Sequence, residues 1–429
     1  MKEKFIKSTI ILLIGGILTK ALGMIIKIIM ARNIGSSGLG IYMTILPTFM
    51  LLISLSQFGL PIALSKLVSE NKRSNKKLFF SIFPIIIIIN TILIILIIIF
   101  SPIISINLLH NKDTYISILS MAFVIPFTTI SAICRSYFFG KEMMLPHVIS
   151  NVVEDLVRLI SIIILIPIIK PLGLKYVVCL LILINIISEI SSTLVLLFFL
   201  PKNIKITKED LKPNKVYIKD SLKISVPNTT SRLIGSLGFF LEPIILTNIL
   251  LYKGYTITFI TREYGVISGY VIPLILLPSF FTLAISQALL PVISKEYVNN
   301  NINSIKRKIK IALLLSIIIG LPITIILTIS PHLFLKIIYH TNEGINYTKI
   351  LAPICFFQYI QAPLSSILDA INKSKDNMIS TLLGTITRTV SLIIFSLLKI
   401  GLWGLIIAII SNILITTFYQ IKKVRSYLT

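Results

Sequence analysis

The sequence predicts an all-α polytopic membrane protein of about twelve transmembrane helices, arranged as two six-helix repeats around a central cleft. Three observations carry that expectation. The 429 residues are 55% hydrophobic and 13% charged, with a mean hydropathy of +0.95. Apolar runs of about 20 residues recur along the chain, and in lipid such runs must be helical, because each backbone polar group has to be satisfied within its own segment. Second, the stretch Arg32 to Lys77 aligns without a gap on Arg262 to Arg307, at a constant offset of 230 residues. Third, positive charge alternates from loop to loop, as it does across a membrane.

The repeat is carried by polar and turn-forming positions as well as apolar ones. Arg32 falls on Arg262, Gly35 on Gly265, Ser56-Gln57 on Ser286-Gln287, Leu60-Pro61 on Leu290-Pro291, Asn71 on Asn301, Ser74 on Ser304 and Lys76 on Lys306. Farther on, the same offset places Ser150 on Ser380 and Arg158 on Arg388. Shared hydrophobicity does not produce matches at Asn, Ser, Arg and Pro. The expected organisation is an N-terminal six-helix bundle over 1–200, a basic cytoplasmic linker over 201–223 and a C-terminal six-helix bundle over 224–429.

In chain order, helices are predicted near 8–31, 40–65, 79–109, 114–138, 147–169 and 173–200, then 220–251, 264–293, 309–338, 346–371, 377–399 and 402–421. Each ends where an apolar run meets turn or charge signals, such as the Gly and Ser of 33–38, the basic 70–77 stretch, Lys170-Pro-Leu-Gly173 and the polar 372–376 stretch. Several prolines, Pro47, Pro61, Pro84, Pro126, Pro273 and Pro278 among them, fall inside predicted helices, where neighbouring helices satisfy the freed backbone groups.

The net charge of +25 would point to nucleic acid in a soluble protein. Here 27 of the 41 Lys and Arg sit at the N-terminus, in 66–77, 135–141, 202–223, 295–310 and 373–375, and at Lys422 to Arg425, against nine on the opposite side. That asymmetry places both termini in the cytoplasm and removes nucleic acid as a partner. Six helices per half is an even number, so the halves insert with the same orientation, related by a pseudo-twofold along the membrane normal. This is the architecture of an alternating-access transporter. Cys134, Cys179 and Cys355 lie in or beside apolar segments and the four histidines lack ligand spacing, so no disulfide, metal site or cofactor is expected. The basic N-terminus leads into an uncleaved first helix.

A charge inside the bilayer costs roughly 2.5–3.5 kcal/mol or more, so intramembrane charges are the functional candidates. Lys20 and Lys27, seven residues apart, share one face of the first helix, with Arg32 beyond its outer end. Helix seven, the equivalent helix of the second half, offers Arg232 and Glu242. Helix five holds Glu154, Asp155 and Arg158, with Glu154 and Arg158 at pairing distance within the helix. Helix eleven places Arg388 at the matching position without such a partner, since Gly384 and Thr385 stand where the acids were. Glu189 in helix six reads as a lone acid. The cationic group Lys20, Lys27, Arg32, Arg232, Arg158 and Arg388 suits an anionic ligand such as a phosphate or diphosphate. Glu242, Glu154, Asp155 and Glu189 are candidates for ion coupling, though structural ion pairs explain the helix-five and helix-eleven charges equally well.

Several segments resemble a known family. Gly265-Val-Ile-Ser-Gly-Tyr270, Pro273-Leu-Ile-Leu-Leu-Pro278 and Leu290-Pro-Val-Ile-Ser294 closely resemble the helix-eight signature of the stage V sporulation protein B and polysaccharide-transporter branch of the multidrug/oligosaccharidyl-lipid/polysaccharide (MOP) exporter superfamily. Gly59-Leu-Pro-Ile-Ala-Leu-Ser65, Arg135-Ser-Tyr-Phe-Phe-Gly140 and Asn151-Val-Val-Glu-Asp-Leu-Val-Arg158 extend the likeness over nearly the whole chain. The resemblance implies a MATE-like fold and translocation of a lipid-linked saccharide, such as the peptidoglycan precursor lipid II, across a bacterial cytoplasmic membrane. Many relatives carry two further C-terminal helices, which in lipid II flippases help form a lipid-tail groove; this chain reads as twelve.

Three functions therefore compete at this point. A flippase for undecaprenyl-diphosphate-linked saccharide, driven by a coupling ion or the membrane potential, needs a basic cavity. A cation-coupled multidrug exporter of the same superfamily needs an acidic one. A membrane-embedded glycosyl- or phosphotransferase needs a catalytic carboxylate or histidine at an exposed face, and the short outer loops offer little beyond Asp113, Glu263 and Glu343. In a cysteine-free background, single cysteines at Asn71, Asn214 and Asn303 are predicted to react with a membrane-impermeant maleimide only from the cytoplasmic side, and those at Asn111 and Asn342 only from outside. The inverse pattern would refute the charge-derived orientation.

Overall fold

The computed structural model describes residues 2–70, 74–200, 207, 210–299 and 301–428, and every regular element among them is helical. The chain forms two compact units, Met1–Phe240 and Leu241–Thr429. Much of the expected linker, 201–206 with 208 and 209, lies outside the described residues. Its far end is fixed to the first unit, where the Asn214 N–H donates to Ser81 Oγ at 3.0 Å.

The first unit contains α1 (Lys2–Gln57), α2 (Leu60–Ser69), α3 (Asn75–Pro102), α4 (Tyr115–Gly140), α5 (Met144–Ile169), α6 (Leu174–Phe198) and the first part of α7 (Lys215–Tyr252). The second contains the rest of α7, then α8 (Ile257–Gly265), α9 (Ile272–Ile275), α10 (Ser279–Val298), α11 (Ile302–Ile329), α12 (Pro331–Phe334), α13 (Ile345–Ala370), α14 (Ser374–Ser396) and α15 (Trp403–Leu428).

Nine helices among the described residues are long and apolar enough to cross a membrane, and a bent pair makes a tenth. The difference from twelve has local causes. The helices predicted at 8–31 and 40–65 run together as α1, which is broken internally at Gly35 (φ 64°, ψ −176°), a conformation open to glycine and costly for other residues. α5 is as long as its neighbours, but Glu154, Asp155 and Arg158 interrupt its apolar run. The helix predicted at 264–293 begins earlier, at Ile257, and bends by 53° between Ile275 and Ser279. Pro278 explains the break, since it has no N–H to donate and restricts the residue before it.

The repeat is visible in the packing. In the first unit α2, α3 and α4 enclose Leu60, Leu64, Leu67, Leu78, Ile82 and Ile133. In the second, the corresponding α10, α11 and α13 enclose Leu289, Ile293, Ile305, Ile309, Leu364 and Ile367. α5 and α4 both pack on α6, as α14 and α13 pack on α15. Polar atoms in these interiors satisfy one another: Thr129 donates to Ser56 Oγ at 3.0 Å, and Gln361 donates to Thr417 Oγ1 at 2.8 Å.

Close helix approach depends on glycine at α4's end. A Cβ on Gly140 would lie 2.5 Å from the Ser65 carbonyl oxygen and 2.9 Å from Val68 Cβ, whereas one on Gly16 would meet nothing within 4 Å. Backbone oxygen cannot step aside as a side chain can. Gly140→Ala is predicted to lower stability by about 1–3 kcal/mol through overpacking, while Gly16→Ala leaves it unchanged or raises it. Thermal unfolding in detergent measures both, and an unaltered midpoint for Gly140→Ala would contradict the tight α2–α4 contact.

Candidate functional site

Five charged side chains meet inside the first unit. Arg135 stands near the end of α4, one turn after Ser131, and its guanidinium donates to Ser131 Oγ at 2.8 Å and to Asn151 Oδ1 at 2.8 Å. It also pairs with Glu154 Oε2 at 2.6 Å and Glu189 Oε2 at 2.5 Å. Arg158, one turn beyond Glu154 on α5, takes the other oxygen of the same carboxylate at 2.5 Å and Asp155 Oδ1 at 2.9 Å. Glu154 is thus shared, one oxygen to each arginine. The planar fork of a guanidinium is what allows a single residue to hold carboxylates from two different helices.

This arrangement corrects two expectations. Arg135 is counted among the cytoplasmic loop charges of 135–141, at the end of the helix predicted over 114–138, but α4 continues to Gly140 and the side chain pairs within the bundle. Glu189 is not a lone acid, because Arg135 bridges it to Glu154. Ser188 beside it faces Arg158 at 3.4 Å. The i,i+4 pair of Glu154 with Arg158 is present as expected. The signal for Arg135 was in the sequence: it has Ser131 one turn earlier on the same face.

The second unit meets the same requirement differently. Arg388 on α14 pairs with Glu242 on α7 through two contacts, Nε to Oε2 at 2.5 Å and Nη2 to Oε1 at 3.0 Å. The Tyr264 hydroxyl of α8 adds a third, donating to Glu242 Oε1 at 3.4 Å. Arg388 therefore has its partner on another helix, and the reason lies at Gly384. A Cβ there would meet Thr416 Oγ1 at 2.2 Å and Asn412 Nδ2 at 2.9 Å, so α14 packs too tightly on α15 to carry an acid at the position that Glu154 holds in the first half. The equivalents of Arg135 and Glu189 are Ser365 and Tyr419. Next to the latter, the Gln420 amide nitrogen lies 3.0–3.2 Å from acceptors on Ser365, Asn377 and Ser380, while Tyr419 itself donates to Asp376, which pairs with Lys423.

The remaining candidates sit apart from these networks. Lys20 and Lys27 are exposed on α1, and Arg232 is exposed on α7. No carboxylate among the described residues forms an ion pair with any of the three. Arg32 is exposed beyond them and has interactions of its own. Among the described residues no group of His, Cys, Asp and Glu could hold a metal ion.

A model of the family described as polysaccharide biosynthesis protein matches residues 5–297, and the MatE model matches 243–394. Stage V sporulation protein B of Bacillus subtilis (strain 168) is 31% identical over all of this chain and 85% of its own length. Lipid II flippase MurJ of the same organism is 24% identical over 37% of this chain and 32% of its length. A multidrug resistance MATE family transporter of the MOP superfamily, solved in an inward-facing conformation, shares the fold with TM-score 0.74 at 15% identity, over 96% of this chain and 94% of that one.

Replacing Glu154 by Gln removes a carboxylate that two half-buried guanidinium groups share, while Arg135 keeps Glu189 and Arg158 keeps Asp155. The loss is of charge-assisted contacts worth about 1.5–3 kcal/mol, so Glu154→Gln is predicted to lower the unfolding free energy by that order. Arg388→Gln leaves the buried Glu242 without its arginine, and breaking such a pair typically costs about 3–5 kcal/mol. Denaturant or thermal unfolding in detergent measures both, and parent-like stability for Glu154→Gln would contradict the shared-carboxylate geometry.

Proposed function

The chain belongs to the polysaccharide biosynthesis protein family, within the MOP exporter superfamily of membrane transporters, and from that membership we propose that it is a flippase for an anionic lipid-linked saccharide. The single observation that carries the choice of substrate is the distribution of unpaired charge. Glu154, Asp155, Glu189 and Glu242 are each held by an arginine of their own unit. Lys20, Lys27 and Arg232 have no such carboxylate among the described residues.

Three cations on apolar helices face either lipid, at a high desolvation cost, or a water-filled path and an anion. A diphosphate satisfies them; a cationic drug repels them. The proposed substrate is an undecaprenyl-diphosphate-linked cell-wall or polysaccharide precursor, lipid II included, moved by alternating access across the cytoplasmic membrane with both termini on the cytoplasmic side. The family's description supports the saccharide, and the partial likeness to a lipid II flippase supports the lipid diphosphate. The carboxylates of the ion networks organise the helices instead of carrying catalysis, so the protein works as a transporter and not as an enzyme.

In this mechanism the three cations act as electrostatic clamps on phosphate. A charge-assisted contact contributes about 1.5–3 kcal/mol, or roughly ten- to hundredfold in affinity. The Lys20→Gln/Lys27→Gln/Arg232→Gln variant is therefore predicted to insert and fold normally yet lose most translocation in proteoliposomes. Arg232→Lys should retain part of it, because a point charge still attracts phosphate without the bidentate fork. Parent-rate transport by the folded triple variant would sink the proposal.

A further inference from the structure

Near the start of α3 the first unit contains a cavity of about 220 Å³. Phe79 and Phe80 of α3, Cys134 and Tyr137 of α4, and Leu196 and Leu197 of α6 form its walls. Apolar cavities of about 150 Å³ already hold a benzene ring, so this one accommodates a longer piece of hydrocarbon. It adjoins side chains that face outward from the bundle, since Leu197 is 50% and Phe198 82% exposed.

Besides Tyr137 and Cys134, its polar lining consists of Asn75 and Lys76. Both belong to the first turn of a 28-residue helix that has no acidic side chain in that turn and no side-chain cap. The positive end of the helix dipole, Lys76 and the adjacent Lys77 concentrate positive potential there. Asn75 lines the cavity, and its Oδ1 is buried with no hydrogen-bond partner among the described residues, which leaves an acceptor to be satisfied by a donor. The charge asymmetry of the loops assigns this end of α3 to the cytoplasmic leaflet, whose anionic lipids are drawn to basic segments.

We propose that this cavity binds one acyl chain of an anionic glycerophospholipid from the cytoplasmic leaflet, with its phosphate at Lys76 and a headgroup hydroxyl donating to Asn75. A hydrocarbon wall, a cationic rim and an unsatisfied acceptor together match a phosphatidylglycerol and fit a zwitterionic, hydroxyl-free headgroup poorly. The site is independent of what the protein transports. It also borders the charge network directly, because Cys134 in its wall precedes Arg135, the residue that holds Glu154 and Glu189. A bound chain packs against the two helices, α4 and α6, that Arg135 joins.

The test uses the full-length protein in nanodiscs of phosphatidylcholine containing a phosphatidylglycerol with a photoactivatable diazirine in its acyl chain. Adducts are expected in the peptides holding Phe79–Phe80, Cys134–Tyr137 and Leu196–Leu197, and the same lipid is expected to slow alkylation of Cys134. Unlabelled phosphatidylglycerol should compete and phosphatidylcholine should not. Leu197→Trp, which narrows the cavity, should remove these adducts. Lys76→Gln, at the rim and outside the packed interior, should weaken competition by phosphatidylglycerol about tenfold. Equal competition by the two lipids, adducts that persist in Leu197→Trp, or an isoprenyl diphosphate that outcompetes phosphatidylglycerol would each overturn the proposal, the last by giving the cavity to a different lipid.

Discussion

A guanidinium enclosed among helices in lipid needs an anionic or polar partner within reach, and the ion networks of this structure follow from that constraint. An arginine at the bilayer centre costs several kcal/mol when unpaired, and its partner costs as much when left behind. The first unit resolves this around Glu154, whose two oxygens serve Arg135 and Arg158 and so fix α4 against α5. Glu189 extends the same network to α6. Three helices are thereby joined by charge.

The two halves descend from one pattern but satisfy the constraint with different geometry. Where the first half has room for an acid one turn before its arginine, the second has Gly384 pressed against Thr416 and Asn412. The arginine persists at the offset position and takes its partner from Glu242 across the bundle. At the position of Arg135 the second half has the neutral Ser365, which Gln420 links to Ser380. Glu154, Asp155, Glu189 and Glu242 are each paired with an arginine. The proposal of an anionic substrate therefore rests on the exposed cations of α1 and α7.

The features legible in the sequence were those with local or periodic signatures. Apolar runs located the helices, the offset of 230 residues exposed the repeat, and the i,i+4 rule identified the pair of Glu154 with Arg158. Tertiary partners were less legible. Arg388 and Glu242 are separated by 146 residues, and no local spacing rule joins them. Arg135 was drawn into a loop by the expectation that cations near helix ends lie in the cytoplasm, although Ser131 marks the same face one turn earlier. The run-on of two predicted helices through Gly35 and the bend at Pro278 turn on backbone conformation at single residues, which hydropathy does not encode.

The substrate's charge is the central claim, and proteoliposomes holding the purified parent protein test it most directly. Fluorescent undecaprenyl-diphosphate saccharides, lipid II among them, and a fluorescent cationic drug are offered to the same vesicles, with and without an ion gradient. Translocation of at least one lipid-linked saccharide is expected, with no gradient-dependent movement of the drug. Drug transport without any movement of lipid-linked saccharide would contradict it.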